Sequence, residues 1–207
     1  GACLFDLAYK DPHARPTAKD GAAAVVDAFQ SAQEPLPRGN VGAGTGCTVG
    51  KLRGPENASK AGLGMDVEEA GGLVCAAVAA VNACGDVVDP RTGKVVAGMR
   101  GEDGSAGETV EALLSMAAAM PLDAPAPRTN TTISCVVTNA RLTKAQATKV
   151  AQMATDAYAH AISPTHTTND GDAVFVMATG EAEAPVDVVG VLATRALERA
   201  IVDSCAH

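Results

Sequence analysis

Apolar residues recur along this chain in two rhythms, and the changes between them mark the predicted elements. Ala2–Leu7 is short, apolar and strand-like, and a charged turn over Lys10–Pro16 follows it. From Ala18 to about Ala32 the apolar positions fall at helical spacing, with Thr17 placed to cap the first turn. Pro35–Gly54 is a loop rich in Gly and Pro, continued by a polar, Gly-containing stretch to about Met65. Leu73–Val81 is a continuous apolar run of strand length. It passes through the tight turn Asn82-Ala83-Cys84-Gly85 into a second strand at Val87-Val88. Asp89–Gly93 is another turn, and Lys94–Met99 another strand.

The second half reads similarly. Ser105-Ala106-Gly107-Glu108 has the form of a capping box and predicts a helix to about Ala119, ended by Pro121. Pro121–Asn130 is aperiodic and proline-rich, an exposed linker. Thr131–Thr138 is a β-branched strand. Thr143-Lys144-Ala145-Gln146 is a second capping box, opening a helix to about Ile162. A loop over Ser163–Gly171 precedes the strand Ala173–Ala178, and Val186–Cys205 closes the chain as a helix. With no internal repeat, the order of elements predicts α/β layers rather than a solenoid.

Composition narrows this. A length of 207 residues corresponds to one domain or somewhat more, and 47% apolar against 19% charged residues is enough for a packed core. The net charge of −8 repels phosphate backbones and anionic lipid, so neither nucleic acid nor membrane is expected as a partner. Two Tyr, three Phe and no Trp predict a core of small side chains in closely packed layers, and argue against aromatic binding anchors. The six cysteines form no CxxC pair, and the four histidines show no metal-ligand spacing with them, so no metal or cofactor is expected. The chain has no signal peptide and no apolar run of membrane-spanning length; with unpaired cysteines, a cytoplasmic location is expected. It opens on Gly1, and Ala2–Leu7 reads as the middle of a domain, so a fragment is expected.

Three segments carry candidate chemistry. Gly42-Ala43-Gly44-Thr45-Gly46, followed by Gly50-Lys51, invites a phosphate-binding reading but fits neither template. Cys47 or Val49 stands where a dinucleotide fingerprint needs its third glycine. Thr45 and Leu52 break the P-loop pattern. These glycines are expected to let backbone pack closely near a site. At Thr129-Asn130-Thr131-Thr132 a proline-rich stretch meets a strand, which is an ordinary strand start or a self-cleavage point. A Thr hydroxyl there can attack the preceding carbonyl, and hydrolysis of the resulting ester frees an N-terminal Thr. Its α-amine, with a pKa of about 8 against about 10.4 for Lys, is the better base at neutral pH. Asn169-Asp170-Gly171-Asp172 is an Asp/Gly turn, or a pair of carboxylates pointing the same way beside that amine. Asn82 is a turn residue, or an amide donor suited to an oxyanion hole.

In order, Val41–Lys51, Ala80–Pro90, Asn130-Thr131-Thr132-Ile133 and His166–Phe175 resemble the L-aminopeptidase/D-esterase family, which includes β-peptidyl aminopeptidases and nylon-oligomer hydrolases. The resemblance implies a four-layer αββα sandwich. It also implies self-cleavage between Asn130 and Thr131, into an α-piece (1–130) and a β-piece (131–207) that together form one domain. Thr131 would be the nucleophile and Asn82 the oxyanion-stabilising residue, with Lys51, Asp170 and Asp172 around the nucleophile. The pieces would stay associated, in a homo-oligomer, and would act on a small amide or peptide. Two departures are expected to matter. The family's N-terminal portion is missing here, and Cys3 and Phe5 stand where the aminopeptidase branch carries a Glu and a Tyr. The expected activity is therefore amide hydrolysis of broad or internal-cleaving type. Acyl transfer of the ornithine acetyltransferase type and an inert, uncleaved homologue are the rivals.

Overall fold

Strand β4 organises the molecule, because both of its neighbours pair along nearly its whole length. The computed structural model describes residues 1–7, 9–31, 34–117 and 129–206. In chain order the elements are α1 (Ala18–Gln30), β1 (Thr48–Val49), β2 (Ser59–Lys60), β3 (Leu63–Ala70), β4 (Leu73–Asn82), β5 (Asp86–Asp89), β6 (Lys94–Ala97), α2 (Thr109–Ser115), β7 (Thr131–Ala140), α3 (Lys144–Ala154), α4 (Asp156–Ala161), β8 (Ile162–Ser163), β9 (Ala173–Ala182) and α5 (Val186–Asp203). The main sheet has the order β3-β4-β7-β9, antiparallel except for β7 and β9, which run parallel with α3 and α4 as their crossover. A second sheet, β6-β5-β8, touches α4 and α5, and β1 and β2 form a short ribbon.

One face of the main sheet carries the core. Cys75, Ala77, Ala79 and Val81 of β4 and Val136 of β7 are fully buried there. Against them α5 lays Val189, Leu192, Ala193, Ala196, Leu197, Ala200 and Ile201, at the three- and four-residue spacing of one helix face. Alanine and valine dominate, so the helix approaches closely: a Cβ at Gly64 would collide with the Ala200 carbonyl. The opposite face is also apolar, yet it lies open. Val67, Val137 and Phe175 are 44%, 37% and 41% exposed, and Met177 reaches 60%. Helix α1 likewise buries none of its side chains, and its Phe29 is 82% exposed. The fold is thus mixed α/β, with a helical layer on one side of a four-stranded sheet.

Several elements depart from the sequence pattern, each for a tertiary reason. The polar stretch to Met65 hides strand β3. Its Asp66 and Glu68 point inward, where Glu68 is buried beneath Arg199 and Arg195 (3.6 Å) of α5, while Met65 and Val67 point to the open face. Ala2–Leu7 forms no strand; the Phe5 carbonyl instead accepts a hydrogen bond from the Asn82 side chain (3.0 Å). The helix predicted from Thr143 to Ile162 is two helices that meet at Thr155, and Ile162 leaves to pair with Val87 of β5. Ser105 caps no helix. Its amide and hydroxyl turn to Asp103 (2.9 and 2.6 Å), and α2 starts at Thr109, after Glu108 at φ +72°. There the buried Asp86 accepts the Thr109 amide (2.9 Å) and hydroxyl (2.6 Å), capping the helix from β5. The boxes at Thr17 and Thr143 form as predicted, with Asp20 and Gln146 as their partners. The predicted end of α2 at Ala119, and most of the predicted linker Pro121–Asn130, lie outside the described residues.

Tyr158 of α4 is fully buried, and its hydroxyl lies 3.1 Å from Thr132 O, 2.8 Å from Ser134 Oγ and 3.0 Å from Ala173 O. It ties α4 to the adjacent starts of β7 and β9. Tyr158→Phe should therefore lose about 1–3 kcal/mol of stability in urea unfolding, since it orphans buried acceptors while keeping the ring's volume.

Candidate active site

Register brings the two central candidates together: Asn82, the last residue of β4, lies directly across from Thr131, the first of β7. Both are buried. The Asn82 Oδ1 accepts from the Lys51 ammonium (2.6 Å) and the Thr48 amide (3.2 Å). Two donors on the oxygen turn the NH₂ the other way. There it donates to Phe5 O (3.0 Å) and makes a long contact to Thr129 O (3.5 Å), one peptide upstream of the Asn130–Thr131 bond. Lys51 also donates to the Asn82 carbonyl (3.0 Å). Burial pulls its pKa down to about 8, against the opposing pull of Cys47, Cys84, Asp170 and Asp6. At neutral pH, part of the population therefore carries a neutral amine.

The Asn130–Thr131 bond is gripped from both sides. The Thr131 hydroxyl donates to the Asn130 carbonyl at 2.6 Å, and the Gly171 amide donates to the same oxygen at 2.9 Å. Asn130 and Asp170 form a parallel bridge that extends the β7–β9 pairing one step past the strand ends. Gly171 therefore faces Thr131, and a Cβ there would sit 3.0 Å from the Thr131 Oγ1. The two aspartates flank it with separate tasks. Asp172 accepts the Thr132 amide (2.7 Å) and meets His166 Nδ1 (3.2 Å). Burial raises its pKa and Asp170 adds to this, opposed by the Thr132 amide and His166. Asp170 accepts the Thr167 amide (2.7 Å) and hydroxyl (2.8 Å) with one oxygen. Its other oxygen, Oδ1, is buried without a hydrogen-bond partner, as is Asn169 Oδ1.

Beside this bond lies a cleft of about 250 Å³, lined among others by Phe5, Asp6, Lys51, Asn82, Cys84 and Asn130. The glycine-rich loop forms one wall, and its glycines act as close-contact positions. A Cβ at Gly46 would strike the Asp6 carboxylate, and at Gly50, where φ is +69°, it would strike Met99 backbone. All five sequence-predicted residues thus fall in one neighbourhood. The pattern missed Gly171 as an amide donor, Thr48 and Phe5 as partners of Asn82, and His166 and Tyr158 as supports. The first three act through backbone atoms, which no side-chain motif records. Among the described residues, no group of three or more His, Cys, Asp or Glu is placed to hold a metal ion.

The sequence model of peptidase family S58 matches residues 4–207. The chain belongs to that family. Among curated proteins it is similar to an uncharacterized aminopeptidase of Mycobacterium leprae, 37% identical over 190 residues that make up 89% of this chain and 50% of that one. It is also similar to the 6-aminohexanoate-oligomer endohydrolase of Paenarthrobacter ureafaciens, 29% identical over 89% of this chain and 50% of that one. The S58 chain described here spans about half the length of these relatives. Its fold is similar to that of part of a Pyrococcus horikoshii protein (TM-score 0.56, 22% identity, 87% of this chain and 47% of that one). It is also similar to that of part of the L-aminopeptidase D-Ala-esterase/amidase of Ochrobactrum anthropi, described as a variant of the Ntn hydrolase fold (TM-score 0.52, 20% identity, 82% of this chain and 45% of that one).

Two outcomes follow for this S58 site. Lys51 should titrate near pH 8 by NMR of a labelled side chain, where an unperturbed lysine titrates near 10.5. Between those values the unfolded chain holds a proton that the folded one has lost, so stability should rise with pH across that window, and Lys51→Met should flatten the rise. Gly171→Ala should slow any reaction at the Asn130–Thr131 bond by roughly tenfold or more, followed by intact mass over time, because its methyl crowds Thr131 Oγ1.

Proposed function

We propose that this chain is a self-processing amide hydrolase whose mature nucleophile is an N-terminal Thr131. The observation that carries the reading is the doubly held Asn130 carbonyl, with the Thr131 hydroxyl at 2.6 Å and the Gly171 amide at 2.9 Å. Thr131 Oγ attacks the Asn130 carbonyl carbon, and the Gly171 N–H stabilises the oxyanion. The proton leaving Oγ passes to the Thr131 nitrogen as the C–N bond breaks. Water then cleaves the ester, giving an Asn130 carboxylate and a free Thr131 amine. That amine brings N–H donors that the peptide lacked. The buried, unpartnered Asp170 Oδ1 beside the bond supports its reception.

In the mature enzyme the Thr131 amine serves as base to its own hydroxyl, and the two aspartates orient it and balance the charge of the amine and of Lys51. With Asn130 displaced, the Asn82 NH₂ faces the acyl side, where it stabilises the oxyanion of a bound amide. The substrates are small peptides or amide oligomers. The α-piece 1–130 and the β-piece 131–207 stay together as one domain, since β4 of the first pairs with β7 of the second along its length and α5 of the second packs on β3 and β4. The open apolar face of the main sheet supports a second sheet stacked upon it, which would complete a four-layer αββα sandwich. A cytoplasmic homo-oligomer is part of the same reading.

Thr131→Ala should remain a single chain on a denaturing gel and hydrolyse no amide, whereas the unaltered protein should separate into fragments 1–130 and 131–207. Recovery of both fragments from Thr131→Ala would refute the assignment. Asn82→Ala, assayed on a short peptide amide, should lower kcat by about 10²–10³-fold.

A further inference from the structure

We propose that Lys60 is a positioning residue for the oxyanion site: it holds and polarises one peptide group, Cys47–Thr48, whose N–H fixes the orientation of the Asn82 side chain. This rests on the reading of Thr131 as nucleophile and Asn82 as its oxyanion donor.

Lys60 lies on β2, directly across from Thr48 of β1. Its ammonium has three N–H bonds and meets three backbone carbonyls, those of Gly44 (3.0 Å), Cys47 (2.8 Å) and Ala61. Two of these belong to the glycine-rich loop that walls the cleft. The Cys47 carbonyl and the Thr48 N–H are opposite ends of one peptide plane. One end accepts from the Lys60 ammonium, the other donates to Asn82 Oδ1 at 3.2 Å, and Cys47, Thr48 and Asn82 are all buried. A cation on the carbonyl draws charge along the plane and makes the N–H a stronger donor. Rotating the plane away from Asn82 would also take an acceptor from the ammonium.

Orientation matters because an Asn side chain offers an oxygen on one side and an NH₂ on the other. Turned over, it would aim Oδ1 at the acyl side and repel an oxyanion there. Lys51 alone does not prevent this. Its pKa of about 8 leaves part of the population neutral, and a neutral amine accepts as well as donates. The Thr48 N–H can only donate. It therefore keeps the NH₂ toward the acyl side whatever the charge on Lys51, and Lys60 stands directly behind it.

Lys60→Met removes the charge and keeps an unbranched stem, while the Ala61 amide (3.1 Å) still holds the Cys47 carbonyl. On the full chain, kcat for a short peptide amide should fall roughly tenfold with KM unchanged. In an Asn82→Ala background the same substitution should cause no further loss. Self-cleavage, whose oxyanion is assigned to Gly171, should keep its rate by intact mass. In NMR spectra the Thr48 amide proton should move upfield, and the Asn82 side-chain NH₂ signals should shift with it. An equal loss of kcat in both backgrounds, or a matching slowdown of self-cleavage, would mean that Lys60 only braces the loop, and would overturn the proposal. So would an unchanged kcat or unmoved Asn82 signals. If Lys60→Met does not fold, Lys60→Gln, which keeps a neutral donor, takes its place in the same measurements. An unaltered protein that neither cleaves itself nor hydrolyses the amide refutes the nucleophile assignment instead, and the NMR then decides the link from Lys60 to Asn82.

Discussion

The register between β4 and β7 is the constraint on which the site depends. Pairing of Asn82 with Thr131 is one rung of a ladder running from Cys75 and Thr138, so a slip of one residue would turn every side chain of β7 to the wrong face. The helix-facing positions of both strands enforce it, because Ala77, Ala79, Val81 and Val136 are fully buried and cannot exchange with their neighbours at low cost. Burial of small side chains far from the cleft thereby sets where Thr131 stands. On the other side β9, in parallel register, extends its pairing to Asn130 and Asp170 and delivers the Gly171 amide to the Asn130 carbonyl.

The same sheet has two faces with opposite fates. Toward α5 it tolerates buried acids, because Glu68 and Asp66 meet Arg195 and Arg199 at the helix surface. Away from α5 it presents apolar side chains with little to cover them. An open apolar sheet face of this extent is unusual for an isolated layer, and the proposed four-layer fold would cover it. The share of the relatives' length that this chain spans, about half, agrees with that.

Much of the fold was legible in the sequence. Strands β4, β5, β6, β7 and β9 and helices α1 and α5 follow from apolar periodicity, and the boxes at Thr17 and Thr143 follow from local hydrogen-bonding chemistry. The failures share a cause. At β3, at the start of α2 and at Ile162, the deciding partner lies far along the chain: an arginine on α5, the carboxylate of Asp86, the edge of β5. Local pattern cannot weigh an ion pair or a cap that only folding creates. The site divides in the same way. Its side chains are visible as motifs, but the Phe5 carbonyl and the Thr48 and Gly171 amides carry no signature, since every residue other than proline has those groups.

The sequence by itself therefore determined the residue types of the site, their order and family, and the small-residue character of the core. Those follow from side-chain chemistry and periodicity, which are local properties. Tertiary structure alone decided that Asn82 faces Thr131, that the Asn130 carbonyl is held by Gly171, and that Asp6 lines the same cleft. Those are relations between segments far apart along the chain, and only the cooperative packing of the sheet against α5 sets the distances at which they act.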